Sequence, residues 1–384
     1  MMKDKKICRV NTLQEFIKKK VIIVGAASLL MGSQLASAVD VNISGYVRGD
    51  FIYDVDEDLG DELGGTDGAL DTSAGADSES HFRAHARESR LAINVKPDDS
   101  TSIRLEGDFF GSGGNEFVSN SRGFRLRHAV GTYKNITAGQ TWSTFMDRDF
   151  GSYPTTVDFT GSAGIAFVRQ ALLRVNLGNL DLAIENPQVF LRGDAGSSGE
   201  ESLPDFVARY ARAFDNAYFY VSGVVQSTEV SGGAADGESE SYFGASAGGN
   251  FKLGDSSTIS AAVISNAGRY GLFGWANPTF ITVNDKLETL DYFGYNLTFS
   301  HKVANGQFNI TYGNVEFDDE FAGAAGSTLT SADAETIQTV HVNYIYNASK
   351  NVTYMFEVSN LDREDFSGDS GDNTRYQFAA KYSF

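Results

Sequence analysis

Short and long links alternate along this chain from about residue 40 to its end, and that order restricts the fold more than any single motif. About sixteen segments read as strands with one apolar and one polar face, and none reads as a convincing amphipathic helix. Seven junctions are tight: Pro97-Asp98-Asp99, Lys134-Asn135, Gly178-Asn179, Asp215-Asn216, Leu253-Gly254-Asp255, Ala304-Asn305-Gly306 and Ser349-Lys350-Asn351. Asn, Asp, Gly and Pro tolerate or preset turn angles. Between these turns lie eight longer polar connections, near 54–85, 111–121, 145–165, 188–203, 230–240, 268–287, 318–334 and 363–371. A sandwich with Greek-key links has no reason to keep such an order. Strands running up and down between two compartments do, with short periplasmic turns and long outer loops.

Strand faces agree with that reading. Leu91, Ile93 and Val95 alternate with Arg90, Ala92 and Asn94, and Val352, Tyr354, Phe356 and Val358 with Thr353, Glu357 and Ser359. In the closing segment Tyr376, Phe378, Ala380, Tyr382 and Phe384 share one face, and Arg375, Gln377, Lys381 and Ser383 the other. Side chains on a strand point to opposite faces with period two, so each segment has a greasy and a wet side. No stretch after Ala38 is long and apolar enough for a transmembrane helix. A membrane location therefore requires a closed barrel, which alone besides helices satisfies backbone groups in lipid. The expected fold is all-β: an up-and-down antiparallel transmembrane barrel of about sixteen strands, occupying residues 39–384 as one domain.

Lys18-Lys19-Lys20, the short apolar run Val21 to Leu30 and Ala36-Ser37-Ala38 have the order of a secretory signal peptide, predicted over residues 1–38. A retained anchor is the alternative. Cys8 lies before the apolar run, so the exported part has no cysteine, hence no disulfide, thiolate metal site or cysteine nucleophile. Residues 1–38 carry seven Lys/Arg and two Asp/Glu, leaving 24 basic against 48 acidic residues and a charge of -24. That balance argues against a nucleic-acid partner.

Basic residues are few, yet many fall on inward positions. Arg48, Arg90, Arg104, Arg125, Arg127 and Arg174 all alternate with apolar neighbours in the first half of the strands. Arginine stays charged and grips carboxylates bidentately, so such a wall is expected to attract small organic anions. Glu106 and Asp108 share the face of Arg104 and would partly neutralise it. Simple pairing that keeps a wet wall intact accounts for the same residues. The third outer connection mixes aromatics, acids and glycines, from Phe145-Met146-Asp147-Arg148-Asp149-Phe150 through Asp158-Phe159-Thr160-Gly161. A loop with its own apolar residues folds against cover, and the barrel interior is the nearest. Folded inward, it would set Asp147, Asp149 and Asp158 near the arginines as a constriction that selects ions. An outer loop packed on its neighbours is the other reading.

The first outer connection is crowded with acids from Asp54 to Glu79. Asp54-x-Asp56-x-Asp58 opens like a calcium loop, but Leu59 stands at the glycine position and Gly65 at the bidentate glutamate. A solvated acidic loop or weak divalent binding near anionic lipid fits better, and no metal or cofactor site is predicted. Five histidines show no HExxH spacing, and no GxSxG elbow appears. His341 is the least implausible general base, and an enzyme is not expected.

The block from Phe124 to Arg174 carries a resemblance. Phe124-Arg125-Leu126-Arg127-His128-Ala129-Val130-Gly131, then Ala138-Gly139-Gln140-Thr141-Trp142-Ser143 with Phe145-Met146-Asp147, then Asp158-Phe159 and Val168-Arg169-Gln170, is similar to the DcaP-like trimeric porins of Gram-negative outer membranes. That resemblance implies a sixteen-stranded barrel, a homotrimer set among outer-membrane lipid and lipopolysaccharide, and passage of small anions such as dicarboxylates. It marks Arg125, Arg127, Asp147 and Arg169 as pore residues and Phe384 as an assembly signal. Family members often carry an amino-terminal periplasmic coiled coil, whereas strand-like sequence begins here just after Ala38. The expected function is passive diffusion, preferentially of small organic anions. A general or cation-preferring porin is the alternative, and a non-conducting adhesin or structural barrel a more distant one.

Overall fold

A computed structural model describes residues 39–63, 70, 72, 79–115, 119–187, 189–273 and 276–384; the predicted signal peptide lies outside them. Sixteen strands form one closed antiparallel sheet. They are β1 (Asp40–Asp54), β2 in two pieces (His81–His85 and Arg90–Asp98), β3 (Thr101–Gly111), β4 (Gly123–Tyr133), β5 (Ile136–Trp142), β6 (Arg169–Leu177), β7 (Leu180–Glu185) and β8, again in two pieces (Ser198–Glu200 and Asp205–Ala213). The second half holds β9 (Ala217–Ser231), β10 (Ser239–Leu253), β11 (Ser257–Ser265), β12 (Tyr292–Val303), β13 (Gly306–Phe317), β14 (Ala334–Asn347), β15 (Val352–Asp365) and β16 (Ser370–Ser383). The sheet closes where β1 pairs with β16, from Tyr46↔Ser383 to Asp54↔Arg375. Closure leaves no unpaired edge in lipid.

Several boundaries differ from the sequence reading, two of them at the ends of the barrel wall. His81–His85 is a strand paired with Asp50–Asp54, not loop. The last outer link shrinks to 366–369, because β15 and β16 pair as far as Glu364↔Ser370. The segment does alternate, with Phe82 exposed and His85 buried, but five residues beside a long acidic stretch give too short a pattern to stand out from loop.

The outer surface is apolar: Val47, Phe51, Leu91, Phe356, Tyr376, Tyr382 and Phe384 are exposed there, whereas Asp50, Asn309, Thr311, His341 and Arg375 are buried inside. The third outer loop, 143–168, runs into the lumen. Its Phe145, Met146, Ile165 and Ala166 pack with Leu59 and Leu63 of the first loop and Tyr270 and Leu272 of the sixth. Burial of this apolar surface fixes loops that would otherwise be solvent-exposed. Glycine permits the closest approach to the wall. Gly164 has φ +78°, and a Cβ there would lie 2.2 Å from the Tyr295 carbonyl oxygen. On the wall, a Cβ at Gly313 would lie 2.3 Å from the Ala163 oxygen.

Candidate constriction site

The wall facing the third loop is built from adjacent strands β1 to β4. Arg48 donates to Asp50 Oδ1 at 2.7 and 2.9 Å and pairs with Glu88 at 2.5 Å. Arg125 grips Asp108 bidentately at 2.8 and 2.9 Å. Arg127 donates to Glu106 and Asp108, each at 2.9 Å, and Arg104 closes the lattice on Glu106. Irregularities in the pairing of β3 with β4 fall between Glu106 and Gly107 and between Asp108 and Gly111. Such a break re-aims side chains, and here two arginines converge on one carboxylate. Arg90 is held more loosely, 3.7 Å from Glu88, with its Nε unsatisfied.

Across a cavity of about 640 Å³ stand Tyr153, Pro154 and Phe159 of the third loop. Phe159 lies 6.0, 5.4 and 5.7 Å from the guanidinium carbons of Arg90, Arg125 and Arg127 and stacks on Phe110 at 4.5 Å. Arg169 stacks over Trp142 at 4.6 Å, and its Nη1 is buried with no hydrogen-bond partner among the described residues. Aromatic faces attract guanidinium without neutralising it.

Two of the three loop acids lie away from the arginine wall of β1 to β4. Asp147 and Asp149 meet Arg209 of β8, with Asp149 at 2.5 Å, and Asp147 also accepts bonds from Ser152 and Tyr218. Burial opposes ionisation of Asp149, but the Arg209 bond outweighs it and holds the carboxyl below its ordinary value. Asp158 lines the cavity, yet its ion pair is with Arg375 of β16, at 2.9 Å. Arg174 makes no ion pair among the described residues; it donates to Thr144 Oγ1 at 2.7 Å and the Trp142 carbonyl at 2.6 Å, holding the root of the loop.

Sequence reasoning missed the residues that clamp the loop apex. Glu357 of β15 accepts the Val157 and Asp158 amides, both at 2.8 Å, and Arg48 donates to the Val157 carbonyl at 2.7 Å. His341 sits 3.3 Å from Glu357, both fully buried. Arg209, Arg375 and Glu357 stand on polar faces in the second half of the chain, a signal the alternation did carry. The first-loop acids are likewise engaged: Asp54 by Arg375, and Asp58 by Arg83 and His81. Among the described residues no cluster of three or more His, Cys, Asp or Glu is placed to hold a metal.

A closed sixteen-stranded barrel narrowed by an inward loop defines an outer-membrane channel of the porin class. The model of the DcaP outer membrane protein family matches residues 30–384, and the chain belongs to that family. The outer membrane channel DcaP of Acinetobacter baumannii superposes with a TM-score of 0.79 at 25% identity, over 92% of this chain and 99% of that one. An anion-selective porin from Comamonas acidovorans shares the fold at a TM-score of 0.59 and 15% identity, over 90% and 100%. The trimer form of OmpT from Vibrio cholerae does so at 0.52 and 11%, over 91% and 100%. No curated protein matches the chain.

Proposed function

We propose that this outer-membrane channel passes small hydrophilic solutes by passive diffusion and prefers small organic anions, dicarboxylates among them. One observation carries the preference: Arg48, Arg90, Arg104, Arg125 and Arg127 pair with Asp50, Glu88, Glu106 and Asp108, Asp158 of the same cavity is held by Arg375, and Arg169 stands beside them with no ion pair among the described residues. The excess is positive where the passage is narrowest, and charge at a constriction governs permeation. Phe159 and Tyr153 supply the aromatic part of the opposite wall, beside the paired Asp158, so the third loop acts as a size filter. Residues 1–38 serve as the export signal, residues 39–384 form the barrel, and Phe384 acts in assembly. The channel works as a homotrimer, a state recorded for OmpT.

Reversal potential in a planar bilayer under a salt gradient tests the reading. Chloride preference is expected, and Arg90→Gln with Arg104→Gln should weaken it. Potassium preference in the unaltered channel, or a preference unmoved by both changes, overturns it. Chemical crosslinking of the folded protein to a three-chain species tests the trimer.

A further inference from the structure

At the periplasmic end of the arginine wall, one ring gathers two cations. Tyr46 of β1 stands opposite Arg90 of β2 and Ser383 of β16, and Lys381 of β16 stands opposite Arg48. The Arg90 guanidinium carbon lies 5.5 Å from the centre of the Tyr46 ring and the Lys381 ammonium 5.4 Å. Arg90 lines the cavity together with Arg48 and Glu88, and Lys381 shares the inward face of Arg375 and Gln377. Short turns and both strand ends of the barrel mark the periplasmic side, so Tyr46 lies roughly 7 Å of strand nearer the periplasm than Arg48. Tyr46, Arg90 and Lys381 are each partly exposed, so this corner opens to the lumen.

Carboxylates do not balance the corner. Asp50 and Glu88 both go to Arg48, at 2.7 and 2.5 Å, and Glu88 reaches Arg90 only at 3.7 Å. Lys381 makes no ion pair among the described residues; its partner is the ring. Three cations therefore share two carboxylates, and the two on Tyr46 are held by an aromatic face that attracts a cation without neutralising it. We propose that Arg90 and Lys381, gathered on Tyr46, form a second anion station on the periplasmic side of the constriction, where a small carboxylate leaving the arginine wall is held before it exits, and that Lys381 sets anion affinity there. The inference rests on the reading that the passage follows that wall. Two cations on one ring suit a carboxylate, whose two oxygens accept from both at once. Two stops in series, each weak enough to leave, pass a solute faster than one deep site.

The test measures how the conductance of the full channel in planar bilayers saturates with sodium succinate, for the unaltered protein, Lys381→Gln, Lys381→Met, Lys381→Arg and Lys96→Gln. Lys96 is exposed on the strand that carries Arg90 and controls for charge at the periplasmic mouth in general. Methionine keeps the stem's packing, so it separates lost charge from lost structure. One unit charge about 5 Å from a bound carboxylate, partly screened by salt, changes occupancy about three-fold. The half-saturating succinate concentration is expected to rise by about that factor in Lys381→Gln and Lys381→Met, to keep the unaltered value in Lys381→Arg and to move little in Lys96→Gln. Conductance that stays linear in the unaltered channel, a half-saturation unmoved in both neutral variants, or an equal shift in Lys96→Gln overturns the station. Potassium preference in the reversal potential refutes the anion reading of the wall instead. With chloride preference kept, failure of the Lys381 variants refutes the station alone.

Discussion

Replacing Arg375 by Met should release the first and third loops at once. The guanidinium donates to Asp54 at 2.7 and 2.9 Å, to Asp158 at 2.9 Å and to the Gly60 carbonyl at 2.8 Å, and no part of it is exposed. Methionine keeps much of the stem's volume but leaves two buried carboxylates without their cation. Breaking a buried pair in this way costs about 3–5 kcal/mol. The lower end applies here, since Asp54 still accepts the Leu59 amide and Asp158 those of Leu63 and Thr160. Neutralising Asp158 as well removes one of the two orphaned charges. The double variant Arg375→Met/Asp158→Asn should therefore be more stable than additivity predicts, by roughly 1–2 kcal/mol. Urea unfolding in lipid vesicles, followed by the fluorescence of the two tryptophans, measures each corner of the cycle. Single-channel recording should show Arg375→Met with larger conductance fluctuations. Additivity within 0.5 kcal/mol together with unchanged current noise would refute the hub.

Glu357→Gln keeps one acceptor oxygen but turns an amide N–H toward a backbone N–H of the loop apex, so thermal melting should register a loss of about 1–3 kcal/mol and recordings a noisier open state. Arg174→Ala and Arg104→Gln should separate structure from selectivity. The first loses the bonds to Thr144 and Trp142 and destabilises by about 1–3 kcal/mol, while the second, half exposed, shifts reversal potential at a cost below about 1 kcal/mol. Asp149 has a depressed carboxyl, so its contribution is present above the unfolded value and lost as pH falls through the folded one. Melting temperatures below pH about 4 should fall less steeply in Asp149→Asn than in the unaltered protein.

The strand count and the wall were legible because both rest on local chemistry. Turn residues and period-two alternation lie within a few positions of each other, and inward arginines such as Arg125 and Arg127 follow directly from them. The partners of the loop acids were not legible. Whether Asp158 meets Arg127 or Arg375 depends on the path of a loop across the lumen, and Arg375 lies 217 residues away along the chain. The path is fixed by loop-on-loop apolar packing, Phe145 and Met146 against Tyr270 and Leu272, which leaves no periodic trace. His81–His85 failed for another reason: it alternates, with Phe82 exposed and His85 buried, but a run of five residues beside a long acidic stretch carries little periodic signal.

The net charge of -24 over residues 39–384 and an arginine-lined constriction do not conflict, because the two act over different distances. Screening confines the field of an exposed carboxylate to about 8 Å at physiological salt. Acids on the outer loops therefore govern what gathers at the mouth, and groups within the narrow passage govern what crosses it. Inside, most acids are already engaged: Asp50 by Arg48, Asp108 by Arg125 and Arg127, Asp181 by Arg148 and Arg209. A carboxylate bound bidentately to a guanidinium presents a dipole to a passing ion, not a full charge. The cations held by rings, Arg90 by Tyr46 and Phe159 and Arg169 by Trp142, keep theirs. The proposed anion preference thus rests on which charges remain uncompensated at the constriction, whereas composition alone points to the opposite sign.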